Sequence, residues 1–261
     1  MKRKVLYLDI ETGPSLGWVW SSFKTNVIGY QPSLAGDLSG GRHGHMLCFS
    51  YLWEGQKVVK AVSQPDFPAV YEKDRFDDTE VVKAALNLLD EADIVIGHNI
   101  DRFDLPAIRG FAVKNGLPAP SPFRTVDTLK IARSTFRFKS NSLKNLAGEL
   151  GLPAKQDPGG FNTWLGCLDG NPKAWKRMVE YAKHDTRLLP LLYERMRPFA
   201  KNMTRFVEEE GCPHCGVEGR LMKRGFARTN SAEYQRWQCM ECLTYSRSRR
   251  KSSGPAGKLA L

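Results

Sequence analysis

Residues 5–12 of this 261-residue chain read Val5-Leu-Tyr-Leu-Asp-Ile-Glu-Thr12. The apolar run over Val5–Ile10 is typical of a short strand, and it ends in carboxylates. Because side chains alternate along a strand, Asp9 and Glu11 are expected to project from the same face. We therefore predict a strand that opens an α/β domain and carries two neighbouring carboxylates.

Hydrophobic periodicity and turn residues predict the other elements of this domain. A hairpin is expected over Met46–Trp53 and Val58–Val62, a strand over Asp93–Gly97, and an extended or early helical segment over Thr125–Ala132. Helices are expected over about Thr79–Glu91, Asp104–Asn115, Ser142–Leu150 and Pro172–Met196. Pro190 should kink or divide the last helix, since proline lacks an N–H donor and clashes with the preceding turn. The Gly-rich segment Pro32–His45 is predicted to be a mobile loop.

The charge balance indicates a polyanionic partner. The chain has 39 Lys+Arg against 28 Asp+Glu, a formal net charge of +11. No apolar run approaches the length of a membrane span, and the amino terminus reaches Asp9 too early for a signal peptide. We therefore expect a cytoplasmic protein without a membrane partner, whose basic surface contacts nucleic acid.

The pair Asp9 and Glu11 has two interpretations. Two carboxylates side by side on a buried strand repel each other, and a divalent cation would offset that repulsion. The alternative is a strand end that simply reaches solvent. This pair alone does not decide between them.

A third carboxylate lies at a predicted strand-to-helix junction, Gly97-His-Asn-Ile-Asp-Arg-Phe-Asp104. An aspartate there can cap the helix or face a site at the strand ends. Asp101 competes with Asp104 for this role. We prefer Asp104 because Phe103 beside it can anchor the turn in the core.

A fourth carboxylate, Asp185, lies four residues after Tyr181 in the last predicted helix, so the two share one helical face. Taken alone, this pair fits an ordinary helix surface equally well. Together, the four carboxylates can converge on two Mg²⁺ or Mn²⁺ ions, which prefer oxygen ligands. Two such ions, roughly 3.5–4 Å apart, clamp the attacking and leaving oxygens of an in-line phosphoryl displacement.

Three segments resemble the exonuclease motifs of the DEDD superfamily, which has a ribonuclease-H-like fold. They are Tyr7-Leu-Asp-Ile-Glu-Thr12, Asn99-x3-Phe103-Asp104 and Tyr181-x3-Asp185. One branch has a histidine five residues before the last aspartate, where this chain has Glu180. The other branch, DEDDy, has a tyrosine four residues before it, where this chain has Tyr181. The chain is therefore similar to the DEDDy branch, which includes the proofreading domains of family B DNA polymerases, and to stand-alone predicted exonucleases of phages and prophages.

The resemblance covers about residues 4–198 and implies a ribonuclease-H-like mixed sheet flanked by helices. It implies that Asp9, Glu11, Asp104 and Asp185 bind two Mg²⁺ or Mn²⁺ ions and that Tyr181 positions the nucleophilic water. The implied reaction is hydrolysis of terminal phosphodiesters in the 3′→5′ direction. Asp127 fits a structural role better than a supporting role at the metals.

The resemblance also bears on substrate and partners. We expect a single-stranded 3′ end of DNA rather than RNA, although the residues themselves do not decide between the two nucleic acids. A polymerase or replication protein is a candidate partner. For a phage-encoded protein, the expected location is the host cytoplasm.

Four of the six cysteines form a metal-binding pattern. Cys212-Pro-His-Cys215 and Cys239-Met-Glu-Cys242, separated by 23 residues, have the spacing of a tetrahedral Zn²⁺ site. In a reducing cytoplasm such pairs are metal ligands rather than disulfides. The segment resembles a zinc ribbon that holds one structural Zn²⁺. The isolated Cys48 and Cys167 are expected to be core thiols.

These patterns predict an exonuclease domain over residues 1–200, a zinc ribbon over 201–247 and a basic flexible tail over 248–261. The ribbon is either a structural staple alone or a surface that also helps to bind nucleic acid. The basic and aromatic residues that offer charge and stacking surface for single strands are Lys223, Arg224, Phe226, Arg228, Arg236, Trp237, Tyr245 and Arg247–Lys251.

Two other functions stay open at this point. One is a nucleic-acid-binding regulator that works through the ribbon and keeps the nuclease fold as a relic. The other is a structure-selective endonuclease on the same fold. The intact set of four carboxylates with Tyr181 argues against the relic, and the tyrosine motif argues weakly against the endonuclease.

Overall fold

The computed structural model describes residues 3–15, 44–153, 158–200, 211–213, 215, 217–229 and 232–248. The chain divides into two compact units, the first comprising Met1–Lys130 and Phe138–Leu192, the second Ile131–Arg137 and Tyr193–Leu261. All but the last two residues of the predicted Gly-rich loop, and the predicted tail after Ser248, lie outside the described residues. The domain boundary expected at residue 200 stays a prediction.

A five-stranded mixed sheet organises the first unit. Its strands are β1 (Val5–Thr12), β2 (Met46–Trp53), β3 (Lys60–Ser63), β4 (Ile94–Gly97) and β5 (Arg124–Asp127). They lie in the order β3-β2-β1-β4-β5. The β2 strand is antiparallel to both β1 and β3, whereas β4 is parallel to β1 and β5 is parallel to β4. The strand that carries Asp9 and Glu11 is therefore central, and the predicted α/β fold with a mixed sheet is confirmed.

Seven helices occur in the described residues. They are α1 (Pro68–Tyr71), α2 (Thr79–Glu91), α3 (Asp104–Lys114), α4 (Thr128–Thr135), α5 (Leu143–Glu149), α6 (Phe161–Leu168) and α7 (Pro172–Met196). Short 3-10 turns occupy Gln64–Asp66 and Arg197–Phe199. None of the helices that the structure describes is both long and apolar enough to cross a bilayer.

Two hydrophobic clusters hold the sheet and the helices of the first unit together. Leu6, Leu8 and Ile10 of β1 pack with buried side chains of α2 and α3. Since Asp9 and Glu11 alternate with these residues, their side chains leave the opposite face of β1. A second cluster joins Leu47 and Cys48 of β2 to buried residues of α6 and α7, which are Cys167, Trp175, Met178 and Ala182.

The two isolated cysteines, Cys48 and Cys167, are buried in that second cluster, as predicted. Burial raises the pKa of the Cys48 thiol well above its ordinary value, and the nearby Glu11 charge raises it further. Burial also raises the pKa of Cys167 to about 12. Both side chains therefore stay protonated near neutral pH, as expected of core thiols.

The last helix differs from its prediction. Although Pro190 lies inside it, α7 continues from Pro172 to Met196, so the helix is not divided at Pro190 and the kink stays a prediction. The neighbouring side chains Leu188, Leu189 and Leu192 are almost completely buried. Burying side chains of this size contributes about 1.5–3 kcal/mol each, enough to offset one lost hydrogen bond.

The second unit contains a three-stranded antiparallel sheet in the order β6-β7-β8. Its strands are β6 (Leu221–Thr229), β7 (Ala232–Cys239) and β8 (Tyr245–Arg247). The small core beside this sheet consists of Cys212, Cys239 and Cys242, with Cys215, Val217 and Leu221 packed against them.

Candidate active site and zinc site

Buried hydrogen bonds hold α7 against the strand next to β1. The Ser50 hydroxyl donates to the Ala182 carbonyl oxygen at 2.8 Å and lies 2.6 Å from the Thr186 hydroxyl. Ser50 is the cross-strand partner of Asp9 in the β1–β2 ladder. These contacts therefore bring the α7 residue next to Thr186, which is Asp185, to the face of the sheet that carries Asp9.

Three of the four predicted carboxylates meet at this place. Carboxylate oxygens of Asp9, Glu11 and Asp185 all lie within 4.8 Å of one another. Asp185 is buried, whereas Asp9 and Glu11 are partly exposed. At such distances three negative charges repel one another strongly, and a divalent cation relieves this repulsion. The arrangement and its oxygen donors fit Mg²⁺ or Mn²⁺.

The fourth carboxylate, Asp104, lies beside this cluster but is not one of the three. It is the first residue of α3, and its Oδ1 accepts a hydrogen bond from the Ile10 backbone N–H at 3.1 Å. Ile10 separates Asp9 from Glu11, so Asp104 holds the backbone between them. Burial raises the pKa of Asp104 to about 7, and the charge of Asp127 adds to this rise, whereas the hydrogen bond from Ile10 lowers it.

The surroundings of Asp104 correct one step of the sequence argument. Phe103 does not anchor the turn in the core, because 46% of it is exposed. Ile100 fills the core instead, and it does so against Gly97, where an added Cβ would come within 2.8 Å of the Ile100 side chain. The competing carboxylate, Asp101, forms an ion pair with Lys130 at 2.6 Å.

Asp127 has the contacts of a structural residue. Its carboxylate accepts hydrogen bonds from the backbone N–H groups of Asn99, Asp101, Leu129 and Lys130. It thereby ties the β4–α3 connection to the start of α4. This agrees with the structural role that the sequence favoured for it.

Tyr181 lies one helical turn before Asp185, and Trp164 of α6 contacts it. The two rings form an edge-to-face pair with centroids 6.3 Å apart. The Trp164 indole N–H donates to the Thr12 carbonyl oxygen at 3.2 Å. One side chain therefore contacts both Tyr181 and the end of the strand that carries Asp9 and Glu11.

Trp164, Ser50 and Thr186 were not identified from the sequence. Each acts through a contact between distant parts of the chain, such as the Trp164 bond to Thr12 or the pairing of Ser50 with Thr186. A tryptophan in a short apolar helix, or a serine in a strand, carries no local pattern that predicts such a partner.

The four cysteines of the second unit form a separate cluster. Their sulfur atoms all lie within 4.8 Å of one another, with 3.6 Å between Cys212 and Cys242 and 3.7 Å between Cys215 and Cys239. A tetrahedral Zn²⁺ with Zn–S bonds of ~2.3 Å requires sulfur atoms ~3.8 Å apart. The cluster therefore has the dimensions of a structural zinc site.

Comparison with solved structures gives a match to the family B DNA polymerase from the hyperthermophilic archaeon Pyrobaculum calidifontis. The two share 17% sequence identity with a TM-score of 0.53, over 76% of this chain and 25% of the polymerase. The chain therefore spans about a quarter of that polymerase, and the likeness is one of fold. Among curated proteins the comparison found no match.

The family comparison is more direct. The model of the RNase H superfamily matches residues 37–197, which is more than half of the chain. That range includes β2–β5 and the whole of α7, with Asp104 and Asp185. The protein belongs to the RNase H superfamily.

Proposed function

We propose that the protein is a metal-dependent 3′→5′ exonuclease of the DEDDy type that hydrolyses terminal phosphodiesters of DNA. The observation that carries the proposal is the meeting of Asp9, Glu11 and Asp185 within 4.8 Å on the fold of a superfamily of nucleases. Asp104 beside β1 and Tyr181 one turn before Asp185 complete the set of residues that the DEDDy motifs contain.

Each residue has a role in this proposal. Asp9, Glu11 and Asp185 would hold two Mg²⁺ or Mn²⁺ ions, with Asp104 as the fourth ligand. When bound, the ions would supply positive charge to the oxygen of the attacking water and to the leaving oxygen of the phosphodiester. The Tyr181 hydroxyl orients the attacking water, and hydrogen bonding in that position is typical of groups that assist a nucleophile.

Supporting contacts keep these groups in place. Asp104 fixes the backbone of Ile10 between two ligands, and the Ser50–Thr186 contact fixes α7 beside β2. Binding geometry of this kind matters because a misplacement of about 1 Å can cost about 100-fold in rate.

The proposal also covers the second unit. Cys212, Cys215, Cys239 and Cys242 would hold one structural Zn²⁺, and the ribbon that they close would help to bind the DNA. The cytoplasmic location carries over from the sequence analysis, and a polymerase or replication protein as partner is suggested by the resemblance. Co-purification with a tagged chain tests the partner.

The test is a digestion of 5′-labelled single-stranded DNA and RNA by the full chain with Mg²⁺ or Mn²⁺. Each strand is supplied with a free 3′ hydroxyl and, in parallel, as a closed circle. Asp185→Asn is the inactive variant. Asp101→Asn is its matched control, since it neutralises an aspartate that pairs with Lys130 outside the carboxylate cluster.

We expect a ladder that shortens from the 3′ end of linear DNA, loses intensity in Asp185→Asn and persists in Asp101→Asn. Circles should stay intact. Cutting of circles would instead establish an endonuclease. Intact linear strands with every metal, together with a band shift, would leave a binding protein as the better account.

A further inference from the structure

In the described strands β6, β7 and β8 of the second unit, one face of the sheet carries arginine and tyrosine side chains and no acidic residue. Cross-strand partners share a face, and side chains alternate along each strand. The β7 side chains on this face pair with Met222 on one side and with Arg247 and Tyr245 on the other. Arg224 joins this face through its Nε, which donates to the Gln238 side-chain oxygen at 3.0 Å. We call this surface the Arg–Tyr face, formed by Arg224, Tyr234, Arg236, Gln238, Tyr245 and Arg247.

The rings and the guanidinium groups of this face stack on each other. The Arg247 guanidinium carbon lies 4.3 Å from the centroid of the Tyr234 ring, and that of Arg236 lies 5.3 Å from the centroid of Tyr245. Arg236 Nε also donates to the Arg224 carbonyl oxygen at 2.9 Å. These contacts order long side chains before any ligand arrives, which lowers the entropic cost of binding.

Two of the arginines oppose each other directly. Arg236 and Arg247 are cross-strand partners in the β7–β8 ladder. Like charges in such a pair destabilise a sheet, because the side chains lie only about 5 Å apart. A bound anion that neutralises either guanidinium group would lower that cost.

The acidic strand residue lies on the other face. Glu233 alternates with Tyr234 and forms an ion pair with Arg228 at 2.7 Å. That opposite face also carries Phe226, Lys223 and Trp237, with the Lys223 ammonium 5.6 Å from the Trp237 ring. Among the described residues, the positive charge of one face is therefore paired with a strand carboxylate, whereas no strand carboxylate lies on the Arg–Tyr face.

We propose that the Arg–Tyr face binds single-stranded nucleic acid. Phosphates lie at Arg236 and Arg247, and a base stacks on Tyr245, of which 54% is exposed. Stacking on a tyrosine requires an unpaired base, so a single strand fits this face better than a duplex. This proposal rests on the proposed function in one respect only, which is the choice of nucleic acid as the polyanion that binds.

The test measures binding of a labelled oligothymidylate of about 20 nucleotides, longer than one site of this kind. The full chain carries Asp185→Asn and receives no Mg²⁺ or Mn²⁺, so that binding is separated from cleavage. Arg236→Gln on the Arg–Tyr face is compared with Arg228→Gln on the opposite face. Tyr245→Ala is compared with Phe226→Ala, because the Phe226 side chain is 48% exposed on the opposite face.

The zinc content of each variant shows whether the ribbon is intact. If Arg236→Gln loses zinc, Arg247→Gln is measured in its place.

We expect Tyr245→Ala to weaken binding at least about fivefold, the lower limit for loss of one base stack. Arg236→Gln should weaken binding and reduce the slope of log affinity against log salt by about 0.7, the value for one phosphate contact on a single strand. The variants of the opposite face should stay within about twofold of the parent.

Equal losses on both faces, or unchanged binding by Tyr245→Ala and Arg236→Gln, would overturn this assignment. Tighter binding of a duplex, or of an acidic peptide, would overturn the choice of partner. Because the readout is binding by an inactive variant, intact binding beside a failed digestion contradicts the proposed nuclease and not this surface.

Discussion

The carboxylate cluster of the first unit joins Asp9 and Glu11 to Asp185, whereas the cysteine cluster of the second unit joins residues that all lie within 212–242. Large hydrophobic clusters that include Leu6, Leu8 and Met178 surround the first site. Around the second, the cysteines themselves form most of the hydrophobic cluster that the described residues make. In the first unit the fold brings the three carboxylates together, whereas in the second unit we expect a bound Zn²⁺ to stabilise the fold.

Removal of zinc should destabilise the second unit and leave the first unit folded. The binding free energy of a structural Zn²⁺ is about 10–16 kcal/mol at neutral pH, and it becomes folding free energy where the core is small. After chelation we expect backbone amides of β6 and β7 to exchange rapidly with solvent, while those of β1 and β2 stay protected. Hydrogen exchange read by mass spectrometry measures both units at once. Continued protection of β6 and β7 without zinc would show that their sheet stands alone.

Neutralising one carboxylate should separate activity from stability in the first unit. Asp185→Asn is expected to lower the cleavage rate about 1000-fold, because bound metal ions stabilise the charge of the transition state by several kcal/mol. The same variant should raise the unfolding free energy of the chelated protein by about 1–2 kcal/mol, since it relieves repulsion within the cluster.

Urea denaturation with and without Mg²⁺ measures this second effect. Asp101→Asn is the control, because it loses only an ion pair with Lys130 at the surface. A chelated Asp185→Asn protein that is less stable than its parent would argue against repulsion in the cluster.

The pH dependence of the chelated protein should report on Asp104. Burial raises its pKa to about 7 in the folded protein. An unfolded aspartate ionises near pH 4, so folding takes up a proton between about pH 4 and pH 7. The contribution of Asp104 to the unfolding free energy should therefore be highest below pH 4. It should fall by up to about 4 kcal/mol as the pH rises to 7.

Denaturation curves at a series of pH values, for the parent and for Asp104→Asn, measure this contribution. In a plot of unfolding free energy against pH, Asp104→Asn should lack the decrease between about pH 4 and pH 7. Identical pH profiles for the two proteins would contradict the raised pKa of Asp104.

A smaller effect is expected from Trp164, which contacts Tyr181 and the end of β1. Trp164→Phe keeps an aromatic ring but loses the N–H that donates to the Thr12 carbonyl oxygen. We expect kcat to fall about tenfold with little change in KM, as for a residue that orients the reacting groups.

The matched control is Trp175→Phe. Trp175 donates its indole N–H to the Tyr71 hydroxyl at 2.8 Å and belongs to the cluster beside α6. This variant should lose about 1 kcal/mol of stability, the net value of one hydrogen bond, and keep its kcat. Equal kcat values for the two variants would make Trp164 a packing residue only.

Local patterns predicted much of the sheet and its helices. The helix predicted over about Thr79–Glu91 is present, because its apolar positions recur with helical period and become its buried face, although its N-cap is Asp78 and not Thr79. The segment expected to be extended or helical over Thr125–Ala132 is both, since β5 ends at Asp127 and α4 begins at Thr128.

Features that depend on distant contacts were missed. The short helix α6 was not predicted, because it follows two glycines and its N-terminus has no side-chain cap. Ile100, and not Phe103, occupies the core position in this turn. Ile100 fits there because Gly97 has no side chain to block its approach. Asp9, Glu11 and Asp185 could be proposed as partners from motif spacing, but their approach depends on how α7 packs on the sheet.

The most direct test of the account is release of the terminal nucleotide from 3′-labelled single-stranded DNA at increasing Mn²⁺. Wild type, Asp185→Asn and Asp101→Asn are compared in the same assay. The account predicts that release by the wild type rises and saturates with Mn²⁺, that Asp101→Asn stays within about twofold, and that Asp185→Asn loses release at every concentration. Release by Asp185→Asn at the wild-type rate would show that the carboxylate cluster is not the catalytic metal site.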